Sequence, residues 1–243
     1  MDKDQAHMRL LVVGYGRMGQ LVAELAPEFG LEVAGIVDPA SASHGGSIDD
    51  ARWQDVDVAI DFTSPDAVPT NVPALAGRGI NVVVGTTGWQ QHEVEIRQVV
   101  ADAGVGIVVA PNFSTSVLLF DVLVATAARM FAGHPEFGAY VHEAHHAMKK
   151  DAPSGTAIQL RQTMERAGFQ RPIDVSSSRA GSIPGTHTVV FDGPSESVTL
   201  RHTARDRSAF ARGALLAACW VRGRRGWFTM HDVLGLDSGE GPR

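Results

Sequence analysis

The feature that most constrains the fold is a glycine-rich turn near the N-terminus, between a predicted strand and a predicted helix. Residues 10–13, Leu-Leu-Val-Val, form a short apolar run that is typical of a buried parallel strand. The run leads directly into Gly14-Tyr15-Gly16-Arg17-Met18-Gly19, and a helical pattern follows over residues 20–26. A G-x-G-x-x-G motif between a strand and a helix is the context of a dinucleotide-binding fold.

Each glycine of this turn has its own expected role. Gly14 makes the tight turn, Gly16 lets a pyrophosphate approach the backbone, and Gly19 lets the helix pack on the strand. Arg17 is a candidate to clamp a phosphate. We therefore predict that the whole turn binds the cofactor: Gly14, Tyr15, Gly16, Arg17, Met18 and Gly19. The alternative is a glycine-rich turn in an unrelated α/β protein.

A second predicted strand, residues 33–37, ends at Asp38. An acidic residue about twenty positions beyond the glycines is where dinucleotide-binding folds hold the adenosine ribose hydroxyls. No Arg or Lys occurs at positions 39–43 to compensate the charge of a 2′-phosphate. Since like charges raise the cost of binding a 2′-phosphate, the sequence predicts a preference for NADH.

Strand and helix patterns alternate from residue 9 to about 112, which predicts a doubly wound parallel sheet, an α/β Rossmann domain. The predicted strands are 10–13, 33–37, 58–62, 81–84 and 107–110, and the predicted helices are 18–26, 65–78 and 90–103. Ligands bind such sheets just beyond the carboxyl ends of the strands. The residues expected there, lining a nicotinamide and its ribose, are Phe62, Thr63, Gly85, Thr86, Thr87, Ala110, Pro111, Asn112 and Phe113. An alternative for Thr63 and Ser64 is that they cap a helix starting at Pro65.

The second half of the chain predicts a smaller α+β domain with an open mixed sheet. Strand-like runs occur at 140–144, 173–177, 187–191 and 197–202, and helical patterns at 117–131, 157–166 and 210–221. The exposed face of an open sheet commonly needs a partner, so the pattern favours oligomerisation.

Residues 143–156 read Glu-Ala-His-His-Ala-Met-Lys-Lys-Asp-Ala-Pro-Ser-Gly-Thr and carry the strongest chemical signal. His145 and His146 can exchange protons near neutral pH, and Lys149 and Lys150 supply positive charge. If Ser154 caps a helix, the Ser-Gly-Thr backbone N–H groups lie at a positive helix terminus. The mixture predicts a site for a small anionic substrate, most simply a carboxylate, beside a proton donor. The alternative is surface histidines and a solvated lysine pair.

Bulk properties narrow the remaining function classes. The net charge of −6 and pI near 5.9 give no indication of nucleic-acid or membrane-surface binding. A single cysteine, Cys219, excludes an internal disulfide, and no Cys/His spacing predicts a metal site. We find no stretch of signal-peptide or transmembrane type and therefore expect a cytoplasmic protein.

Taken together, the motifs resemble those of the 4-hydroxy-tetrahydrodipicolinate reductase (dihydrodipicolinate reductase) family of bacterial lysine and diaminopimelate biosynthesis. The resemblance covers essentially the whole chain. It is carried by Val-Gly-x-Gly-Arg-Met-Gly (13–19), Asp-Phe-Thr (61–63), Gly-Thr-Thr-Gly (85–88), Ala-Pro-Asn-Phe-Ser (110–114), Glu-Ala-His-His-x-x-Lys-x-Asp-Ala-Pro-Ser-Gly-Thr-Ala (143–157) and Arg-x-Gly-x-x-x-Gly-x-His (179–187). The long middle motif is specific, whereas the glycine fingerprint alone is not.

The resemblance implies an NADH- or NADPH-dependent reduction of a cyclic, dicarboxylated imine-type substrate by a homotetramer assembled through the second-domain sheet. It implies a dinucleotide-binding domain of residues 1–113 and 217–243, and a substrate-binding and oligomerisation domain of residues 114–216. By motif position, His145 is the catalytic acid and Lys149 the second catalytic residue. His146, Lys149, Ser154, Gly155 and Thr156 hold the substrate carboxylates, and Gly85, Thr87 and residues 110–113 face the nicotinamide.

Two other functions stay open at this point. A different Rossmann amino-acid or semialdehyde dehydrogenase would share the N-terminal half but lack the doubled histidine and the Pro-Ser-Gly-Thr turn. A non-catalytic dinucleotide sensor would keep the glycines but need no proton donor.

Overall fold

The computed structural model describes residues 8–39, 44 and 46–236, which form two compact units. One unit runs up to Thr115 and resumes at Arg207, and the other is Ser116–Asp206. The predicted domain boundary at 216/217 instead falls inside a helix, Ser208–Val221, that belongs wholly to the first unit. Positions 40–43, part of the cofactor prediction, and the last seven residues of the predicted N-terminal domain lie outside the described residues.

The first unit contains a six-stranded sheet in which every strand pairing is parallel. Its strands are β1 (Met8–Val13), β2 (Leu31–Val37), β3 (Val58–Asp61), β4 (Asn81–Val84), β5 (Gly106–Val109) and, numbered β10 in chain order, Gly226–Phe228. They lie in the order β10-β5-β4-β3-β1-β2. Its helices are α1 (Arg17–Leu25), α2 (Val68–Ala76), α3 (Glu93–Ala103), α6 (Ser208–Val221) and α7 (Met230–Leu234). The doubly wound sheet predicted from the strand–helix alternation is therefore confirmed.

The central strands are almost inaccessible to solvent, as expected for a parallel sheet covered on its faces. Every residue of β3 and Val82, Val83 and Val84 of β4 are 0% exposed. Burial of these β-branched side chains is the main stabilising term for the sheet, because apolar area removed from water contributes roughly 25 cal/mol per Å².

The second unit contains a four-stranded mixed sheet. Its strands are β6 (Gly138–His145), β7 (Ile173–Arg179), β8 (Thr186–Asp192) and β9 (Ser197–Thr203), in the order β7-β6-β8-β9. Strand β6 pairs parallel with β7 and antiparallel with β8, which in turn pairs antiparallel with β9. Its helices are α4 (Thr115–Ala132) and α5 (Gly155–Arg166). The open mixed sheet predicted for this half is confirmed.

Helix α4 is long and apolar enough to cross a membrane by length and composition, with a mean hydropathy of 1.6 over 18 residues. The expectation that the chain has no stretch of transmembrane type is therefore wrong by length and composition. In the structure one face of α4 packs through Phe120, Val124 and Ala128 into the core of the second unit. This buried face accounts for part of the hydropathy, and other apolar side chains of α4 are exposed: Leu119, Val122, Leu123 and Met130.

One local alternative is wrong, and two short elements were not predicted. Helix α2 begins at Val68 after Ala67, with no side-chain cap, so Thr63 and Ser64 do not cap a helix at Pro65. The short strand β10 and helix α7 had no predicted counterpart. Three residues, Gly-Trp-Phe, are too few to show strand periodicity, and β10 exists because it pairs with β5.

Candidate functional site

The glycine turn after β1 has the geometry that the sequence predicted. Gly14 has a φ of 88°, and a Cβ there would lie 2.6 Å from the Phe62 carbonyl oxygen. A Cβ on Gly19 would lie 1.9 Å from the Gly14 carbonyl oxygen. Gly16 differs, because it has a φ of −71° and a Cβ there would meet nothing within 4 Å. Gly14 and Gly19 thus serve packing, whereas Gly16 leaves open space at the start of α1.

A cavity of about 610 Å³ lies between this turn and the ends of β2 and β3. Asp38 lines it, and its Oδ2 accepts a hydrogen bond from the Tyr15 backbone N–H at 2.8 Å. A second carboxylate, Asp49, also lines it, and among the described lining residues there is no Lys or Arg. Helix α1 begins here without a side-chain cap, so its N-terminus is suited to a phosphate. These residues fit the adenosine and pyrophosphate of a dinucleotide.

A second cavity of about 480 Å³ adjoins the same turn on the side of β4. Its lining residues are Gly16, Arg17, Met18, Phe62, Thr63, Pro65, Gly85, Thr86 and Thr87. Gly85 is required by close packing, because a Cβ there would lie 2.0 Å from the Phe62 ring. The turn and the ends of β3 and β4 therefore converge as predicted, and the cavity suits a nicotinamide and its ribose.

The third predicted strand end is placed differently. Residues 110–113 line neither cavity; Ala110 and Phe113 are buried, and Asn112 Oδ1 accepts from the Ser114 N–H at 2.8 Å. The Phe113 ring meets Phe62 edge-on at 6.2 Å. Through this contact the segment touches a residue that lines both cavities.

Asp61, at the end of β3, is a buried carboxylate for which no role was predicted, although it opens the motif 61–63; it is 0% exposed. Its Oδ1 accepts hydrogen bonds from the N–H and hydroxyl of Thr63 and from the hydroxyl of Thr86. Its Oδ2 accepts from Asn71 Nδ2 at 2.8 Å. The sequence signal for this residue was an acidic side chain at the end of an otherwise apolar strand, Val-Ala-Ile-Asp.

In the second unit, the polar site is organised by Glu143, which is also 0% exposed. Its two oxygens accept a bidentate pair from Arg179, at 2.7 and 2.9 Å. Oε1 also accepts from the Ser154 backbone N–H at 3.2 Å, and Oε2 pairs with Nδ1 of His145. Strand alternation explains the last contact, since residues 143 and 145 of β6 face the same side.

The charge state of Glu143 follows from these contacts. Burial favours the neutral acid, but the hydrogen bonds from Arg179, Ser177 and His145 outweigh it and lower the pKa of Glu143 to about 2. A carboxylate only accepts, so Nδ1 of His145 carries a proton and Nε2 is the nitrogen left for a ligand. Gly185 leaves space there, because a Cβ on it would lie 3.1 Å from Nε2.

The predicted cap of α5 is confirmed. Ser154 Oγ accepts from the Ala157 N–H at 3.2 Å and also pairs with His187 Nε2 at 3.1 Å. The His187 ring lies 5.2 Å from that of His145. Burial and the neighbouring charge of His145 lower the pKa of His187 to about 4, so this histidine is neutral at pH 7. His187 was not among the predicted site residues, although it closes the motif 179–187.

The two lysines have different surroundings. Lys149 Nζ lies 2.8 Å from both carboxylate oxygens of Asp151 and is partly buried, whereas Lys150 is exposed. The backbone carbonyl of Asp151 in turn accepts from Arg179 at 2.6 Å, which ties the lysine segment to Glu143.

The remaining predicted substrate residues lie close in the chain to this network. His146 Nδ1 is buried and has no hydrogen-bond partner among the described residues, and Gly155 and Thr156 form the first turn of α5. Because His145 is buried and bonded, the surface-histidine alternative is wrong for it. Among the described residues, no group of three or more His, Cys, Asp or Glu side chains could hold a metal ion.

Comparison with known proteins gives concordant matches for both halves. The model of dihydrodipicolinate reductase, N-terminus, matches residues 8–113, and that of dihydrodipicolinate reductase, C-terminus, matches residues 116–234. The 4-hydroxy-tetrahydrodipicolinate reductase of Christiangramia forsetii is 34% identical over 238 residues, 93% of this chain and 98% of that protein. The enzyme of that name from Methanoregula boonei is 38% identical over 246 residues, 91% of this chain and 95% of that protein.

Solved structures show the same fold. A dipicolinate-bound dihydrodipicolinate reductase from Paenisporosarcina sp. TG-14 matches with a TM-score of 0.76 at 21% identity, over 92% of this chain and 98% of that one. A DAP dehydrogenase of C. glutamicum in complex with DAP matches with a TM-score of 0.57 at 14% identity, over 96% and 97%.

The turn geometry predicts that two glycine substitutions affect different properties, one the stability of the fold and the other NADH binding. Gly19→Ala should lower the free energy of unfolding by about 1–3 kcal/mol, because its methyl group overlaps the Gly14 carbonyl. Gly16→Ala should fold normally but weaken NADH binding, because its methyl group enters the cavity space. Urea unfolding and NADH fluorescence titration check the pair. A Gly16→Ala protein that binds NADH as tightly as the parent would contradict the placement of the pyrophosphate.

The buried His187 predicts a pH dependence of stability. An unfolded histidine takes up a proton near pH 6.5, whereas folded His187 does so near pH 4. Between these values the unfolded state binds more protons, so the unfolding free energy falls as the pH is lowered from 6.5 to 4. His187→Gln should reduce this slope by up to about 1.4 kcal/mol per pH unit. An unchanged slope in urea unfolding across this range would show that His187 is not held neutral.

Proposed function

The chain belongs to the dihydrodipicolinate reductase family, and from this premise we propose that it reduces 4-hydroxy-tetrahydrodipicolinate to tetrahydrodipicolinate with His145 as the proton donor. The family assignment makes it an NAD(P)H-dependent oxidoreductase of diaminopimelate and lysine biosynthesis. It removes the alternatives of a different Rossmann dehydrogenase and of a non-catalytic sensor, since both halves match the one family.

The cofactor belongs to the two cavities of the first unit, which acts as the dinucleotide-binding domain. A bound reduced nicotinamide supplies the hydride. Gly16 and the uncapped start of α1 hold the pyrophosphate, with Arg17 beside it, and Asp38 accepts hydrogen bonds from the adenosine ribose hydroxyls. Thr63, Gly85, Thr86 and Thr87 line the space assigned to the nicotinamide end. Gly19 contributes by allowing close packing against Gly14 and not by contacting the cofactor.

Proton transfer is assigned to Nε2 of His145. Hydride arrival places electron density on the substrate that must be protonated or stabilised. Glu143 holds the other ring nitrogen, which fixes the ring orientation and its protonation pattern. The observation that carries the proposal is this buried Glu143–His145 pair at the end of β6, joined through Ser154 to the N-terminus of α5.

The substrate carboxylates are assigned to the surroundings of that pair. Lys149 supplies the positive charge, and it exchanges Asp151 for the substrate. His146, whose buried Nδ1 meets no hydrogen-bond partner within the described part of the chain, supplies a further polar contact. The N–H groups of Gly155 and Thr156, with Ser154, surround the positive end of α5. The dicarboxylate in the similar dipicolinate-bound reductase is a ligand of the class that this set suits.

Three further assignments belong to the proposal. The second unit is the substrate-binding and oligomerisation domain, the protein is a cytoplasmic homotetramer assembled through its sheet, and Ala110, Pro111, Asn112 and Phe113 contribute to the nicotinamide site. Tyr140, which is 42% exposed on the face of that sheet opposite to Phe191, supports an interface there.

We expect His145→Gln to lower kcat by roughly 10²–10⁴, the usual contribution of general acid catalysis, while NADH affinity stays nearly intact. The assay generates the substrate from aspartate semialdehyde and pyruvate and follows NADH oxidation. His134→Gln, an exposed histidine after α4, is the matched control and should retain parental turnover. Near-normal turnover of His145→Gln would remove this residue from the mechanism.

The two adjacent lysines offer an internal comparison. Lys149→Ala should impair both substrate binding and turnover, because no neutral residue replaces its charge opposite a desolvated carboxylate. Lys150→Ala should be mild, because Lys150 is exposed. Substrate KM and kcat of the two variants in the same assay decide the question. The reverse pattern would mean that the roles of the two lysines have been exchanged.

The surroundings of Asp38 support a preference for NADH over NADPH as part of the proposal. A 2′-phosphate there would face Asp38 and Asp49 with no Lys or Arg among the described lining residues to compensate. The kcat/KM for NADH should therefore exceed that for NADPH, and Asp38→Ala should narrow the difference mainly by weakening NADH. Equal values, or a preference for NADPH, would mean that Arg17 or a residue distant in sequence supplies a phosphate site.

A further inference from the structure

The buried carboxylate of Asp61 has an unusual electrostatic environment. All four hydrogen bonds to it come from neutral groups: the Thr63 N–H at 3.0 Å, the Thr63 hydroxyl at 2.6 Å, the Thr86 hydroxyl at 3.2 Å and Asn71 Nδ2 at 2.8 Å. Within the described part of the chain, Asp61 forms no ion pair with Lys, Arg or His. Its charge is therefore solvated by dipoles but is not neutralised.

Burial of an unneutralised carboxylate is costly, and this one is fully shielded from water. Its pairing partners in the sheet, Val13 and Val84, are apolar, so its polar contacts are limited to Thr63, Thr86 and Asn71. Because charges are weakly screened inside a protein, the electrostatic field of this carboxylate extends into the nearest open space.

The nearest open spaces are the two cavities of the first unit. Thr63 lines both, Thr86 lines the smaller one, and Asn71 lines the larger one. Asp61 thus lies one side chain behind the cleft, and it positions three of the side chains that shape it.

We propose that Asp61 is a positioning residue whose charge favours the oxidised over the reduced nicotinamide, and so sets the relative affinities of this site for the two cofactor forms. The inference rests on the proposed cofactor site. Hydride transfer moves two electrons and a proton from the nicotinamide ring to a substrate carbon, and the substrate takes a further proton from the acid. The ring changes from neutral to singly positive. A fixed anion behind the cleft stabilises that positive charge as it develops.

Asp61→Asn tests the charge at nearly constant shape. The dissociation constants of NAD⁺ and NADH are measured by calorimetry and fluorescence on the full chain, without turnover. The amide oxygen of Asn can keep the Oδ1 contacts of Thr63 and Thr86, and its NH₂ replaces Oδ2 opposite Asn71. Any loosening of the lining acts on both ligands alike, so the ratio Kd(NAD⁺)/Kd(NADH) isolates the charge. We expect this ratio to rise on the order of tenfold, the scale of one unit charge acting through an effective dielectric of about 20.

Thr86→Val is the matched control, because it removes one of the same hydrogen bonds and keeps the carboxylate. It should change both dissociation constants by the same factor and leave the ratio at the parental value. If Asp61→Asn does not fold, Asn71→Lys replaces the amide on Oδ2 with an ammonium and should raise the ratio in the same direction.

The possible outcomes separate this inference from the proposed function. A parental protein that binds neither NADH nor NAD⁺ would overturn the cofactor site itself. A parental protein that binds both, with the same ratio in Asp61→Asn or Asn71→Lys, would overturn only the role of Asp61. A ratio raised equally by Thr86→Val would assign the effect to loop order rather than to charge.

Discussion

The second unit depends on one buried carboxylate, Glu143, and on the donors that make its burial possible. Three segments supply those donors: β6 itself through His145, the start of α5 through the Ser154 N–H, and the end of β7 through Arg179, 36 residues away. Parallel pairing of β6 with β7 sets His145 opposite Arg179. An ion that is fully removed from water is tolerated only with such partners, so the position of each segment is tied to the others.

This constraint also explains how the site is prepared for chemistry. The same carboxylate that anchors Arg179 determines which nitrogen of His145 is left for a ligand. Arg179 also donates a hydrogen bond to the backbone carbonyl of Asp151 and so holds the segment that carries Lys149 in place. The proton donor, the cationic side chain and the helix N-terminus are therefore held by one network rather than by independent loops, which is the arrangement that preorganised catalysis requires.

The first unit repeats the use of a buried acid with a different charge balance. Glu143 is paired with Arg179, whereas Asp61 is satisfied by the neutral Thr63, Thr86 and Asn71. An acid in an ion pair mainly fixes the geometry of its partners. An acid that is held only by neutral donors also exerts an electrostatic field on the neighbouring cleft. We infer that the two units divide their tasks accordingly, with orientation of the proton donor in one and electrostatic bias on the cofactor in the other.

Sequence reasoning found what depends on local periodicity and on backbone constraints. Gly14 and Gly19 were interpretable because only a residue without Cβ fits there, and the strands β1 to β5 because buried parallel strands are continuous apolar runs. It missed β10, which forms only through pairing with β5, and it did not assign roles to Glu143, His187 or Asp61. Their importance arises from contacts such as that between Glu143 and Arg179, 36 residues apart, which no local pattern contains.

The central claim is that Glu143 determines the protonation pattern of His145. Long-range ¹H–¹⁵N correlation spectra of protein labelled at histidine nitrogen, assigned with His145→Gln, report which ring nitrogens carry a proton. Nδ1 of His145 should carry a proton in the parental protein at neutral pH. Glu143→Gln should change which ring nitrogens of His145 carry one. A parental spectrum in which His145 is protonated at Nε2 alone, with a bare Nδ1, would contradict it.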